Sequence, residues 1–235
     1  MDLNKYYLEK LGAKEEVIIW LVNGNLIRKE VDIEFANFGQ HYRFSFIPEN
    51  EFWLDVEAVL NERPFFIEHL FIEWRLMKKG ISYETALASA NEAETYERKK
   101  KEGYKKILGS EGTIIIEKIH KELLGQTEDN ISVWLVDGRI VRNNLNIDFS
   151  EGGHDLVYDF IPEKEVWIDD DVVKEERIYI ILHELYERLL MKNGYSYSHS
   201  HGGVGETKGA SEIEWEARNN DAKLKKYLEL LEYKS

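Results

Sequence analysis

The sequence predicts an α+β fold built twice in tandem, and three observations carry that expectation. First, the chain repeats itself: 17–83 aligns with 131–197 without a gap at an offset of 114, with 27 of 67 positions identical. Self-similarity at a fixed period marks duplicated architecture. Second, within each copy strand-like runs precede helix-like ones, the order of an antiparallel sheet with its helices grouped afterwards. Third, 43% of the 235 residues are hydrophobic and 12% aromatic, enough for a core in each half. The copies are expected at 1–112 and 113–235, packed as a pseudo-dimer.

Each copy is expected to open with a short helix, "NKYYLEKLG" or "IEKIHKELLG", ending at Gly12 or Gly125. Strands follow at 17–22, 26–35, 42–47 and 51–55, and at 131–136, 140–149, 156–161 and 165–169. "VNGN" and "VDGR" between the first two strands have the form of hairpin turns, so a small antiparallel β-meander is expected. Trp20, Trp134, Trp53 and Trp167 fall within strand patterns and are assigned to packing. An apolar-periodic helix comes next, about 64–79 and 176–192, stopping at "KKG" or "KNG". A polar helix closes each copy, about 83–106 and 210–233. The second of these suits packing on its own copy or a homo-oligomer contact.

Composition removes several function classes. A net charge of −14 disfavours a phosphate-backbone ligand. With no cysteine, any metal must be held by His and carboxylates. No apolar run is long enough to span a bilayer, and the start lacks the segments of a signal peptide. A soluble, cytoplasmic protein is the expectation. "HGGVGETKG" lacks the spacing of a phosphate-binding loop.

The chemistry concentrates in "ILHELYERLLM". His183 and Glu187 are four apart, so on a helix they share a face and can approach one ion. Glu184 is turned about 100° from His183, where a base could activate a metal-bound water. A third ligand is needed, and His199, His201, Glu206, Glu212 and Glu214 lie downstream, with His154 upstream. His154, in "EGGHD", could line the site or contact a substrate, but reads first as a solvated turn residue before a strand. "DDD" at 169–171 reads as a solvated connector that opens the next helix. In the first copy "EHLFIEWRLM" keeps His69 and Glu73, while Leu70 stands for Glu184 and Leu87 for His201. Either His69 and Glu73 hold the fold together, as could their counterparts, or the first copy is a degenerate partner supporting the second.

The segment "EVWIDDDVVKEERIYIILHELYE" resembles the active-site segment of minimal zincin-like metallopeptidases, in which an edge strand precedes a His-Glu helix. The longer run through "LHELYERLLMKNGYSYSHSH" is similar to uncharacterised phage and archaeal proteins carrying HELxExxLMxxGxxYxxAH after a FIPxxEIWID strand. The resemblance covers 150–201 and, more weakly, 37–94. It implies His183, Glu187 and His201 as ligands of Zn²⁺ or another divalent transition metal, with Glu184 as base. The implied activity is hydrolysis of an amide or ester in an unknown small molecule or peptide. Glu187 replaces the second His of the peptidases, Ser200 replaces Ala, and an insertion of about six residues follows His201. The competing expectation is a non-catalytic structural or interaction protein whose His and Glu residues serve packing or a structural metal.

Overall fold

The computed structural model describes residues 2–102, 107 and 114–235. The expected boundary at 112/113, and the last turn assigned to the first copy's closing helix (103–106), lie outside the described residues. The chain divides into two compact units, Met1–Lys105 with Asn146–Asp148, and Lys106–Leu145 with Phe149–Ser235. Both are α+β, each around a mixed sheet.

The first unit runs β1 (Tyr7–Lys14), β2 (Val17–Val22), α1 (Gly24–Glu30), β3 (Phe38–Gln40), β4 (Glu51–Asp55), α2 (Arg63–Lys78) and α3 (Tyr83–Glu102). Its strands lie in the order β1-β2-β4-β3. The second unit runs β5 (His120–Thr127), β6 (Ser132–Val136), α4 (Gly138–Asn144), β7 (Gly152–His154), β8 (Glu165–Asp169), α5 (Lys174–Lys192), α6 (Tyr197–Gly202), α7 (Ala210–Arg218), α8 (Asp221–Leu230) and β9 (Tyr233–Lys234). Its order is β7-β8-β6-β5-β9.

Neither sheet is a meander. The central pairs β2/β4 and β6/β8 are parallel, and a parallel pair cannot be joined by a hairpin. The expected strands 26–35 and 140–149 are therefore replaced by α1 and α4, which begin the crossovers. "NG" and "DG" are helix starts: the Asn23 and Asp137 side chains accept hydrogen bonds from the Leu26 and Ile140 N–H groups at 3.0 and 2.9 Å. The glycine that follows is there for space. A Cβ at Gly24 would lie 1.7 Å from Asp55 Oδ2, and one at Gly138 2.1 Å from Asp169 Oδ1.

The expected opening helices are strands β1 and β5, antiparallel to β2 and β6. Segments 42–47 and 156–161 are turns, and the edge strands lie earlier, at β3 and β7. The expected closing helix of the second unit is α7, α8 and the short strand β9, which pairs with β5.

Each sheet is covered on both faces. Val17, Ile19, Leu21, Phe52 and Leu54 pack with Leu70, Phe71 and Trp74 of α2; Tyr6, Phe35, Ile47 and Trp53 form the other face with Ile27 of α1. In the second unit Val133, Leu135, Val166 and Ile168 meet Ile180, Ile181 and Leu185 of α5, and Ile140, Val141, Phe149 and Trp167 fill the opposite side. The acidic run at 169–171 is not a free connector: Asp169 and Asp171 bind the buried Arg142, and Asp170 binds Lys121. Among the described residues no helix is long and apolar enough to cross a membrane.

Candidate metal centre

α5 carries His183, Glu184 and Glu187 on the turns that pass beneath the edge strand β7. Its apolar positions Ile180, Ile181 and Leu185 are fixed against the sheet, which sets the helix rotation and aims His183 and Glu187 at a common point. The third group arrives from α6, whose start is fixed by Ser196 accepting from the His199 N–H. Ser200 is fully buried there, and the next residue, His201, faces α5.

His183 Nε2, Glu187 Oε2 and His201 Nδ1 form a triangle with edges of 2.8, 3.1 and 3.7 Å. Ligand atoms about 2.0–2.1 Å from a tetrahedral zinc are separated by roughly 3.3 Å, so the three atoms already lie near the spacing an ion requires. A point at that distance from all three sits just outside their plane, leaving a fourth position. The residues present fit a divalent transition metal.

The supporting bonds also fit. His183 Nδ1 lies 2.8 Å from Glu214 Oε2, which directs Nε2 toward the ion point. Glu214 Oε1 accepts from Arg218 Nε at 2.8 Å, and Arg218 Nη1 reaches Glu176 Oε2 at 2.5 Å. Glu176, Arg218 and Glu214 are each at most 4% exposed. This buried relay runs from Glu176 at the start of α5, through Arg218 and Glu214 of α7, back to His183. On the far side, His154 Nε2 is 3.1 Å from Glu187 Oε1.

Burial disfavours the charged form of both main partners, and their contacts overcome it. Burial would lower His183, but Glu187 and Glu214 hold it well above the ordinary imidazole range. Burial would raise Glu187, but His154, His183 and His201 hold its carboxyl well below the usual carboxylate range. Glu184 differs: burial pushes its carboxyl up. Its neighbour Arg188 is engaged by Asp155 at 2.6 and 2.9 Å. Glu184 lies beside β7, close enough that a Cβ on Gly152 would be 3.2 Å from its Cγ. Oxygens of Glu184 and Glu187 and a His154 nitrogen lie within 4.8 Å of one another.

Of the residues named from sequence, His183, Glu184, Glu187 and His201 converge. His154 is no solvated turn residue; it is fully buried in β7 and points at Glu187. Glu214 supports His183. His199 and Glu206 are exposed, and Glu212 pairs with Lys208 at 3.0 Å. His120 lies elsewhere, stacked on Trp134 and 3.0 Å from Glu165. Sequence reasoning missed Arg218 and Glu176. The signal was present: Glu176 matches Glu62 at the offset of 114, and "EAETYER" (92–98) and "EIEWEAR" (212–218) both place Glu and Arg four apart, but at an offset of 120, which the gapless comparison does not sample.

The first unit shows the same wiring without the third ligand. His69 Nδ1 lies 2.9 Å from Glu94, Arg98 Nε donates to Glu94 at 2.8 Å, and Arg98 also binds Glu62. His69 Nε2 and Glu73 Oε2 are 3.6 Å apart. Leu70, in the place of Glu184, is buried in the core, and Leu87 occupies the same turn of α3 as His201 does of α6. Searches against protein families, curated proteins and solved structures found no match to the chain.

Proposed function

We propose that the second unit binds one divalent transition-metal ion, zinc foremost, through His183, Glu187 and His201, and acts as a hydrolase on an amide or ester. The observation that carries this reading is the convergence of three ligand atoms within 3.7 Å, backed by the Glu214–Arg218–Glu176 relay. Nitrogen and carboxylate donors of this kind suit zinc. A bound ion of this class supplies Lewis acidity and makes water a nucleophile at neutral pH. Glu184, raised by burial and unclaimed by Arg188, is the group to take the proton of the attacking water and pass it to the leaving group. We further infer that the two units arose by duplication: their elements follow one order, and only the second keeps base and third ligand.

A second reading has its own support. The first unit builds the His–Glu–Arg relay around Leu70 and Leu87, so that relay can serve packing alone. On this reading the protein is non-catalytic, and any metal in the second unit is structural.

Elemental mass spectrometry of protein purified without chelator separates the readings in two steps. About one equivalent of metal, absent from His183→Ala, is expected. Hydrolysis of amide or ester libraries by the loaded protein, lost in Glu184→Gln with metal retained, then assigns chemistry. A chain that holds no metal and takes up none on titration sinks the hydrolase.

A further inference from the structure

His154 is a buried histidine at the centre with no place in the proposed ligand set, and the two units differ in residue type at its position while keeping the same bonds. Its Nδ1 accepts a hydrogen bond from the Leu156 N–H at 3.2 Å. An imidazole that accepts at Nδ1 and lies against a carboxylate at Nε2 carries its proton on Nε2. That nitrogen donates to Glu187 Oε1 at 3.1 Å. Both ring nitrogens are thereby used, and no lone pair is left for an ion.

The first unit places Gln40 at the equivalent residue of β3. Gln40 Oε1 accepts from the Tyr42 N–H at 2.7 Å, and Gln40 Nε2 donates to Glu73 Oε1 at 2.6 Å. An amide and an imidazole thus make the same pair of bonds, each accepting from the N–H two residues on and donating to the helix glutamate. The position demands a donor aimed at that carboxylate.

We infer that His154 is a positioning residue for the proposed metal ligand Glu187. By occupying Oε1 it leaves Oε2 alone facing His183 and His201, so the carboxylate binds through one oxygen and in one orientation. This rests on the proposed metal centre and adds how its carboxylate ligand is held. Partners of this kind are worth about 10–100-fold in metal affinity.

The test compares Zn²⁺ affinity, by competition with a chromophoric chelator, among the wild type, His154→Gln, His154→Ala and His183→Gln. The Co²⁺ absorption spectrum is recorded for each. His154→Gln is expected within about threefold of wild type, because the first unit uses that side chain. His154→Ala is expected to bind about 10–100-fold more weakly, with weaker tetrahedral d–d bands as the freed carboxylate swings. Nitrogen-15 spectra are expected to show His154 protonated on Nε2 with and without Zn²⁺. Wild-type affinity in His154→Ala overturns the inference while leaving the metal centre standing. If the alanine chain does not fold, equal losses in His154→Gln and His183→Gln overturn it, as does a metal-shifted Nε2 on His154. A wild-type chain that binds no Zn²⁺ overturns the centre and this inference together.

Discussion

At the scale of single residues, the proposed centre would set protons and a metal in competition for the same atoms. In the metal-free chain His183 is held protonated by Glu187 and Glu214; an ion at Nε2 must displace that proton. Uptake therefore releases a proton, and affinity is expected to climb with pH by about tenfold per unit for each proton lost, as titrations between pH 6 and 8 would show. Arg218→Ala removes the cation that the buried Glu176 and Glu214 share, a change that typically costs about 3–5 kcal/mol; chemical denaturation of the variant reads it directly. His183 and Glu187 were legible in the sequence, because helical spacing and the resemblance both select them; His201 stood out from the other downstream candidates through the resemblance alone. His154 was not, since "EGGHD" has the composition of a turn and nothing local says that β7 buries it. Arg218 was hidden by the insertion after His201, which moves it out of register with Arg98; Glu176 matches Glu62 at the offset of 114, but nothing local says that an acidic residue at a helix start is buried.

At the scale of elements, the long periodic helices and the central strands were readable, and the connections were not. β8 and α5 fall almost where the apolar pattern places them. β1 and β5 were misread as helices for a physical reason: both carry register shifts against their neighbours, and a bulge destroys the two-residue alternation that identifies a strand. α1 and α4 were misread because Asn-Gly and Asp-Gly serve two masters. In a hairpin the glycine supplies an unusual φ; here it lets Asp55 and Asp169 reach the start of the helix and bind Arg28 and Arg142. The two roles predict opposite mutational outcomes. Gly138→Ala is expected to destabilise by about 1–3 kcal/mol through overpacking, and in a double-mutant cycle with Asp169→Ser the two losses are expected to be less than additive, since a turn glycine would not couple to a carboxylate far along the chain.

At the scale of the whole molecule, the two units make one relay do different work. In the first, a proton stands where an ion is proposed in the second: burial lowers His69, but Glu73 and Glu94 outweigh it and raise its pKa from 6.5 to about 9. A histidine raised on folding stabilises fully below pH 6.5, and that contribution fades as pH rises through 9. The full chain should lose stability across that window, by on the order of 3 kcal/mol, and His69→Gln should flatten the profile. Metal stoichiometry is expected to be one per chain, not two, because Leu87 offers no ligand. Leu87→His should introduce a second, weaker equivalent by mass spectrometry.

The loop between α6 and α7 separates these fates. Where α3 runs unbroken over 20 residues, the second unit stops at Gly202 and resumes at Ala210. The turn closes so tightly that a Cβ on Gly209 would sit 2.2 Å from the Gly203 nitrogen, and one on Gly203 would lie 2.9 Å from the Gly209 nitrogen. In a saturation library scored for abundance, these two loop glycines would be as intolerant as Trp167, while Gly205 between them accepted Asn. The second unit's capacity for chemistry would then hang on a stretch of chain that contributes no atom to it.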